Sequence, residues 1–165
     1  MPEDLIINRA IIKEITIPAG IDDVWNAWTT KEGIKSFFAP ECNVELKVHG
    51  MYEIFFTPEA GPGKRGAEGN QIMAVEPNRM FSFTWDAPPH LPHVRKQRTL
   101  VVLKFNKIEE GKTRVILCHT GWGDGNEWER AFDYFSDAWD AIFKRLLIWF
   151  EKGPIDWSKE DYPTK

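Results

Sequence analysis

The stretch that decides the fold lies between residues 126 and 152 and reads NEWERAFDYFSDAWDAIFKRLLIWFEK. Its apolar side chains recur at intervals of three and four, the spacing of one amphipathic helix. At about 1.5 Å per residue, such a helix would be roughly 40 Å long. Gly153 and Pro154 follow it directly and supply a stop signal. The sequence therefore predicts one long helix whose wide apolar stripe needs a covering surface.

Upstream of this helix, several segments have the composition and alternation of antiparallel strands. Residues 9–17 are rich in β-branched side chains. Residues 80–85 alternate between aromatic and hydroxyl-bearing side chains, which predicts a sheet with one apolar face and one solvated face. The further strand candidates are residues 42–48, 52–57, 69–75, 99–108 and 113–120.

The order of these elements predicts an α+β architecture. Residues 22–28 and 31–38 have the pattern of two short helices after the first strand. A curved antiparallel sheet of about six to seven strands and the long C-terminal helix can both bury an apolar face if the sheet wraps around the helix. Because a strongly curved sheet cannot follow a straight helix over its whole length, we expect a pocket in the gap between them. We predict one domain over residues 1–165, with its core in residues 9–153.

Composition excludes several classes of protein. The net charge of −4 and the pI of about 5.6 argue against general attraction to nucleic acid or anionic lipid. The chain has neither a transmembrane-length apolar run nor a signal-peptide core. Its two cysteines do not form a disulfide framework. We therefore expect a cytoplasmic protein with reduced thiols, without nucleic-acid partners or membrane insertion.

A series of short motifs spans residues 9–153 in an order that matches a known family. The motifs are Ile17-Pro18-Ala19, Val24-Trp25, Thr29, Phe37-Phe38, Gly50, Glu76-Pro77, Phe83-Thr84-Trp85, HTGWGDGNEW from His119 to Trp128, Trp139 and Phe150-Glu151-Lys152-Gly153. In this respect the chain resembles the activator of heat-shock protein 90 ATPase homologue-like family of the START-like, or SRPBCC, superfamily.

That resemblance implies the helix-grip fold, with a cavity between the sheet and the long helix. Many family members have no assigned activity, and superfamily relatives bind lipids, sterols, polyketides or plant aromatics. The family name comes from a co-chaperone that carries an additional N-terminal domain, which has no counterpart in this sequence. The resemblance therefore implies the fold and a binding cavity, but it does not imply the co-chaperone function that the family name describes.

The candidate ligand-binding residues are the aromatic side chains that the patterns direct toward the interior, together with His119. Aromatic residues make up 13% of the chain, an excess that needs an explanation. The set can be explained as ordinary core packing or as the lining of an apolar pocket for a flat or lipid-like ligand. Its aromatic members are Trp25, Phe37, Tyr52, Phe56, Phe81, Phe83, Trp85, Phe105, Trp128, Phe132, Phe135 and Trp139.

His119 is the most informative polar residue, because alternation places it on the same face as Val115 and Leu117. It is expected to point inward near the start of the long helix. It could be a core histidine bonded to a turn carbonyl or to Asp124, or a polar group that orients a ligand. A general base would need a positioned partner, and the sequence contains no Ser/His/Asp spacing or nucleophile elbow. No catalytic residue is assigned.

The Pro-rich segment after the aromatic strand carries two histidines, His90 and His93, close to Asp86. Two histidines and a carboxylate could bind zinc, but the prolines fit a polar lid better. We predict no metal and no cofactor. The basic cluster in residues 95–98 is interpreted as a solvated strand end.

The leading functional hypothesis is non-catalytic binding of a small hydrophobic molecule, lipid-like or aromatic, between the sheet and the long helix. One alternative is a protein-interaction module linked to chaperones or to the stress response, which would need an exposed apolar patch. An enzyme that uses His119 is the least favoured alternative. No oligomeric state is predicted.

Overall fold

The computed structural model describes residues 9–164. It contains eight strands and four helices in these residues. In chain order they are β1 (Ile11–Ile17), α1 (Ile21–Thr29), α2 (Lys31–Phe37), β2 (Glu41–Val44), β3 (Tyr52–Phe55), β4 (Gly66–Ala67), β5 (Ile72–Glu76), β6 (Met80–Trp85), α3 (Pro92–Arg95), β7 (Thr99–Glu109), β8 (Lys112–Thr120) and α4 (Asn126–Lys152).

The strands form two antiparallel sheets rather than one. The larger sheet has the order β1-β8-β7-β6-β5, and the smaller sheet has the order β2-β3-β4. Two backbone hydrogen bonds connect the sheets: the Tyr52 amide donates to the oxygen of Asn70, just before β5, and the Ile72 amide donates to the oxygen of Gly50, just before β3. The α+β helix-grip prediction is confirmed, with the predicted surface of six to seven strands divided into two connected sheets.

The long helix α4 has the bounds that the apolar spacing predicts. Glycines with positive φ flank it, Gly125 at 115° and Gly153 at 102°. These conformations are strained for L side chains, which explains why glycine stands at both ends. The helix lies against the sheet and α2, and its buried side chains include Phe135, Trp139 and Leu146.

Helices α1 and α2 pack tightly against each other behind the first strand. The Thr30 hydroxyl oxygen accepts a hydrogen bond from the Gly33 amide at 3.0 Å and caps the start of α2. A Cβ atom at position 33 would lie 2.6 Å from the Ala27 Cα. Glycine therefore stands inside α2 because the two helices approach closely there.

The structure differs from the sequence predictions in several places, three of which have a clear local cause. Strand β2 ends at Val44 because residues 45–50 form a turn closed by local backbone bonds. Strand β5 begins at Ile72, since Gly69 has a φ of 74° and interrupts the extended backbone. Within the Pro-rich segment, Pro92 opens the short helix α3, a position where proline costs no backbone bond.

The core lies between the concave face of the large sheet and the helices α1, α2 and α4. Its aromatic rings contact one another in series, and Trp25 is 5.7 Å from Phe81 and 5.1 Å from Phe105, measured between ring centroids. Both Cys42, which is buried, and Cys118, which is half-buried, have free thiols. Among residues 9–164, no helix is long and apolar enough to span a membrane.

Candidate functional site

A cavity of about 340 Å³ lies under the central part of α4. The ends of β3 and β6, the loops that follow them and residues 157–164 complete its walls. The cavity is therefore at the place where the gap between sheet and helix was expected. Aromatic rings contribute much of its lining, which also includes charged side chains.

Four of the aromatic rings that line the cavity, Phe38, Phe56, Trp85 and Trp139, pack together and form one apolar wall. Trp85, at the end of β6, and Trp139, in the middle of α4, have ring centroids 5.5 Å apart. Phe38, just after α2, lies 6.0 Å from each of them and 5.9 Å from Phe56. Phe56 remains 40% exposed, since it stands at the cavity mouth.

The structure divides the aromatic residues that the sequence indicated into three groups. Those that line the cavity are Phe56, Trp85, Phe135 and Trp139. Those that pack in the core away from it are Trp25, Phe37, Tyr52, Phe81, Phe83 and Phe105. Those that are partly buried at the start of α4 are Trp128 and Phe132.

His119 is fully buried behind the cavity wall, as its inward orientation predicts. Trp139 Nε1 donates to His119 Nδ1 at 3.0 Å, so Nε2 must carry the ring proton. Nε2 lies 2.7 Å from Thr99 Oγ1, which in turn donates to the backbone oxygen of Trp85 at 3.2 Å. The prediction that a turn carbonyl or Asp124 would bond to the imidazole is wrong. Strand register places Thr99 at the ring, and the position of Trp139 on α4 brings its indole to the other ring nitrogen.

This chain of hydrogen bonds connects the two tryptophans of the cavity wall. Burial lowers the pKa of His119 to about 3, so the imidazole is neutral at ordinary pH. Both ring nitrogens are occupied, and neither is left for a substrate. His119 therefore acts as a positioning residue for Trp139.

An ion-pair network forms one end of the cavity. Asp86 lies 3.0 Å from Arg95 and 3.6 Å from Arg98, and Asn70 donates to it at 2.8 Å. Arg95 also contacts Glu68 at 3.1 Å. Burial raises the pKa of Asp86 even though Asn70 and Arg95 oppose that shift. Asp86 and Arg95 both line the cavity, so this end is polar.

The interpretation of residues 95–98 as a solvated strand end is wrong for Arg95. Its side chain is only 14% exposed, and it donates to the backbone oxygen of Gly66 at 2.8 Å. It thereby connects the Gly-rich loop after β3 to the rim of the cavity. Sequence reasoning missed this role because its partners lie about 30 residues away in the chain.

The two histidines of the Pro-rich segment do not assemble with other ligands. The His90 ring lies 5.5 Å from Tyr134 and packs against it edge to face. In the part of the chain that the structure describes, no three His, Cys, Asp or Glu side chains converge on one point. Pro88 and Pro89 of the same segment do line the cavity.

Arg145 is a cavity residue that the sequence analysis did not single out. It is only 8% exposed, and its guanidinium lies 5.2 Å from the Tyr162 ring and 5.6 Å from the Trp157 ring. Its Nε donates to the backbone oxygen of Pro163 and its Nη1 to that of Phe38. Arg145 stands three residues after Ile142 on the apolar stripe, and a cation in that stripe is the signal that could have revealed it.

The segment after α4 folds back and covers the cavity. Trp157, Tyr162 and Thr164 contribute to its lining. Trp157 Nε1 donates to the backbone oxygen of Lys35 at 2.7 Å, and the Ile155 amide donates to Ser36 at 2.9 Å. This segment, which lies beyond the predicted core, is thus attached to α2.

Comparison with known proteins places the chain in a family. No curated protein matches it. A family model described as Activator of Hsp90 ATPase homolog 1-like protein matches residues 18–151. Solved structures with the same fold include MLL2253 from Mesorhizobium loti, with a TM-score of 0.69 and 20% identity over 89% of this chain and 100% of that chain.

Two further structures give similar values. CalU16 from Micromonospora echinospora has a TM-score of 0.63 and 22% identity, covering 90% of this chain and 78% of its own. The Aha1 dimer from Colwellia psychrerythraea has a TM-score of 0.64 and 18% identity, covering 88% and 98% respectively. These likenesses show the shared fold. Because the family model spans most of its length, the chain belongs to the family of Activator of Hsp90 ATPase homolog 1-like proteins.

Proposed function

We propose that this protein binds a small molecule with a flat or apolar body in the cavity beneath α4. The observation that carries the proposal is the cavity of about 340 Å³ walled by Phe38, Trp85 and Trp139. Small-molecule pockets occupy about 300–1,000 Å³ and are lined mainly by apolar and aromatic side chains. The cavity is therefore large enough for a compact ligand.

The walls of the cavity are held in position without a ligand. His119 and Thr99 link the Trp139 indole to the backbone at Trp85. Phe38 contacts each of the other three wall rings, and Trp85 also contacts Trp139. A preformed site loses little side-chain entropy when a ligand enters. This organisation supports binding as the role of the site.

The proposed role is binding without chemistry. An enzyme based on His119 would need a ring nitrogen that reaches a substrate, and Thr99 and Trp139 occupy both nitrogens. The imidazole also lies behind the indole of Trp139 and is fully buried. The geometry therefore favours His119 as a support of the wall.

Calorimetric titration with four probes tests the proposal: 2-naphthoate, 2-naphthamide, decanoate and decanamide. We expect saturable binding of at least one probe at one site per chain. A probe at about 100 times its Kd would stabilise the folded protein by about 2.7 kcal/mol through mass action. Failure of all four probes to bind up to their solubility limits would overturn the proposal.

A matched pair of variants locates the binding. Ala138→Phe adds a ring inside the cavity and is expected to abolish probe binding while the protein stays folded. Ala74→Phe adds the same ring on β5, away from the cavity, and should leave the affinity unchanged. Equal affinity in both variants would place the probe outside the cavity.

A second candidate function comes from the family description: stimulation of an Hsp90 ATPase. It is favoured by four large apolar side chains that are exposed near the junction of the two sheets: Leu46, Val48, Met51 and Met73. The His49 amide donates to the backbone oxygen of Ile72, and the Ile72 amide donates to that of Gly50. These bonds hold residues 46–51 beside the start of β5, which carries Met73.

ATP hydrolysis by purified Hsp90 measures this second candidate directly. A stimulating effect that disappears in the Met51→Glu, Met73→Glu double variant would support it. Unchanged hydrolysis at saturating amounts of the chain would exclude it. Probe binding in the cavity is independent of either result.

A further inference from the structure

We infer that the ligand of the cavity carries a carboxylate, or an anionic group of similar shape, that binds to the guanidinium of Arg145. The inference rests on the proposed binding function and adds the chemical class of the ligand. It starts from a contrast within the site: the buried carboxylate of Asp86 has cationic partners, whereas the most buried guanidinium, that of Arg145, has no carboxylate partner among residues 9–164.

Arg145 has more hydrogen-bond donors than acceptors around it. A guanidinium carries five N–H groups, and the contacts within residues 9–164 use Nε toward Pro163 and Nη1 toward Phe38. Both acceptors are neutral backbone oxygens. None of the carboxylates in the described part of the chain forms a salt bridge with Arg145, although the side chain lines the cavity and is only 8% exposed.

A buried charge without a counter-charge is costly, so buried guanidinium groups are normally paired. The rings of Trp157 and Tyr162 offset part of this cost, because each presents π-electron density to the cation. They do not neutralise it. A ligand carboxylate entering the cavity would supply the missing charge and accept two parallel N–H bonds, an arrangement that the planar guanidinium favours.

The charges around the cavity point to the same class of ligand. Its lining contains three cationic side chains, Lys64, Arg95 and Arg145, and one carboxylate, Asp86. Asp86 is already bonded to Arg95 and Asn70. The site is thus electropositive in a chain whose net charge is −4. This polarity disfavours cationic ligands and favours an amphipathic anion whose apolar part lies against Trp85 and Trp139.

Arg145 also has a structural explanation, since it holds Pro163 and the end of α2 in place. The two explanations predict different dependence on ligand charge. A purely structural arginine affects all ligands of one shape equally, whereas a ligand-binding arginine discriminates a carboxylate from its neutral amide.

The test compares each acid with its amide, 2-naphthoate against 2-naphthamide and decanoate against decanamide, by calorimetric titration of the full chain. With the native protein, we expect the acid of the preferred pair to bind about 10- to 100-fold more tightly, the range for a charge-assisted hydrogen bond. Comparison of the two pairs shows whether the apolar part is aromatic or aliphatic.

Arg145→Met should reduce the affinity of the acid to that of its amide and leave the affinity of the amide within about threefold. Arg145→Lys keeps the charge and should retain part of the preference. Arg114→Met, which removes an exposed cation from the outer face of β8, is the control and should change neither affinity.

Equal affinity of acid and amide for the native protein would overturn the inference and leave the proposed function intact. An equal loss for both probes in Arg145→Met would assign the arginine to structure alone and would also overturn it. Absence of binding by all four probes would contradict the proposed function itself. Because the native comparison needs no variant, the inference stays testable if Arg145→Met fails to fold.

Discussion

Two aromatic regions of this protein have similar composition and opposite packing. The closed region contains Trp25, Phe81 and Phe105, whose rings contact one another and do not line the cavity. The open region consists of the four cavity-wall rings, including Trp85 and Trp139. Ring separations are about the same in both, from 5.1 to 6.2 Å in the closed region and from 5.5 to 6.0 Å in the open one.

The covering element makes the difference between the two regions. Helix α1 places the Trp25 ring directly on Phe81 and Phe105 and so fills the space above the sheet. The open region is covered by α4, by loops that contribute charged side chains such as Lys64 and Arg95, and by residues 157–164, which add the rings of Trp157 and Tyr162. A pocket in this fold therefore depends on which segment lies over the rings.

The largest expected difference between the two regions is in the free energy of unfolding that is lost when one aromatic ring is removed. Phe81→Ala removes a fully buried ring from the closed region and should lower the free energy of unfolding by about 3–5 kcal/mol. Phe56→Ala removes a partly exposed ring at the cavity mouth and should cost about 1 kcal/mol. Urea denaturation of both variants measures the difference. Equal losses would show that the cavity wall is packed as tightly as the core.

The next effect concerns His119, which supports the open region. Burial lowers the pKa of His119 to about 3 in the folded state, whereas the unfolded imidazole titrates at its ordinary value of 6.5. Below 6.5 only the unfolded state takes up the proton. The contribution of His119 to the free energy of unfolding is therefore fully present above pH 6.5 and falls by about 1.4 kcal/mol for each pH unit below it.

Between pH 7.5 and pH 5.0 this amounts to about 2 kcal/mol. His119→Gln is the matched variant, because an amide can still accept from Trp139 and donate to Thr99 without binding a proton. Subtracting its urea-denaturation profile from that of the native protein removes the contribution of Asp86, whose raised pKa acts in the opposite direction. If the two stability profiles run parallel, His119 takes up a proton as readily in the folded state as in the unfolded state, contrary to the expectation.

Sequence patterns were informative where a repeat defines a face. The spacing in residues 126–152 correctly predicted the bounds of α4, and alternation correctly predicted that Phe81 and Trp85 point inward. The inward orientation of His119 followed from the same rule. Its partners did not, because Thr99 and Trp139 lie 20 residues away on either side and meet the ring only through strand register and helix phase.

Features that depend on a covering segment were not predicted. Gly153 and Pro154 mark the end of α4, but a stop signal carries no information on the direction of the chain beyond it. The positions of Trp157 and Tyr162 over the cavity were therefore not predicted, and neither was the contact of Arg145 with them. The long-range ion pair of Arg95 with Glu68 was not predicted for the same reason, because the two residues lie 27 positions apart in the chain.

The smallest expected effect tests whether residues 157–164 behave as part of the open region. Trp157→Ala removes a half-buried ring and one hydrogen bond to Lys35, so we expect a loss of about 1 kcal/mol or less in the free energy of unfolding. The same change uncovers one side of the cavity. Stopped-flow measurement of 2-naphthamide fluorescence should then show about fivefold faster release of the probe, equivalent to about 1 kcal/mol.

Lys159→Ala, an exposed change in the same segment, is the control and should alter neither quantity. A large loss of stability in Trp157→Ala with an unchanged release rate would place this segment with the closed region, as a fixed part of the core. Faster release at nearly constant stability would mean that the covering segment controls access to a cavity whose walls stand without it. The second outcome is expected, because His119 and Thr99 hold the Trp139 and Trp85 side of the wall independently of Trp157.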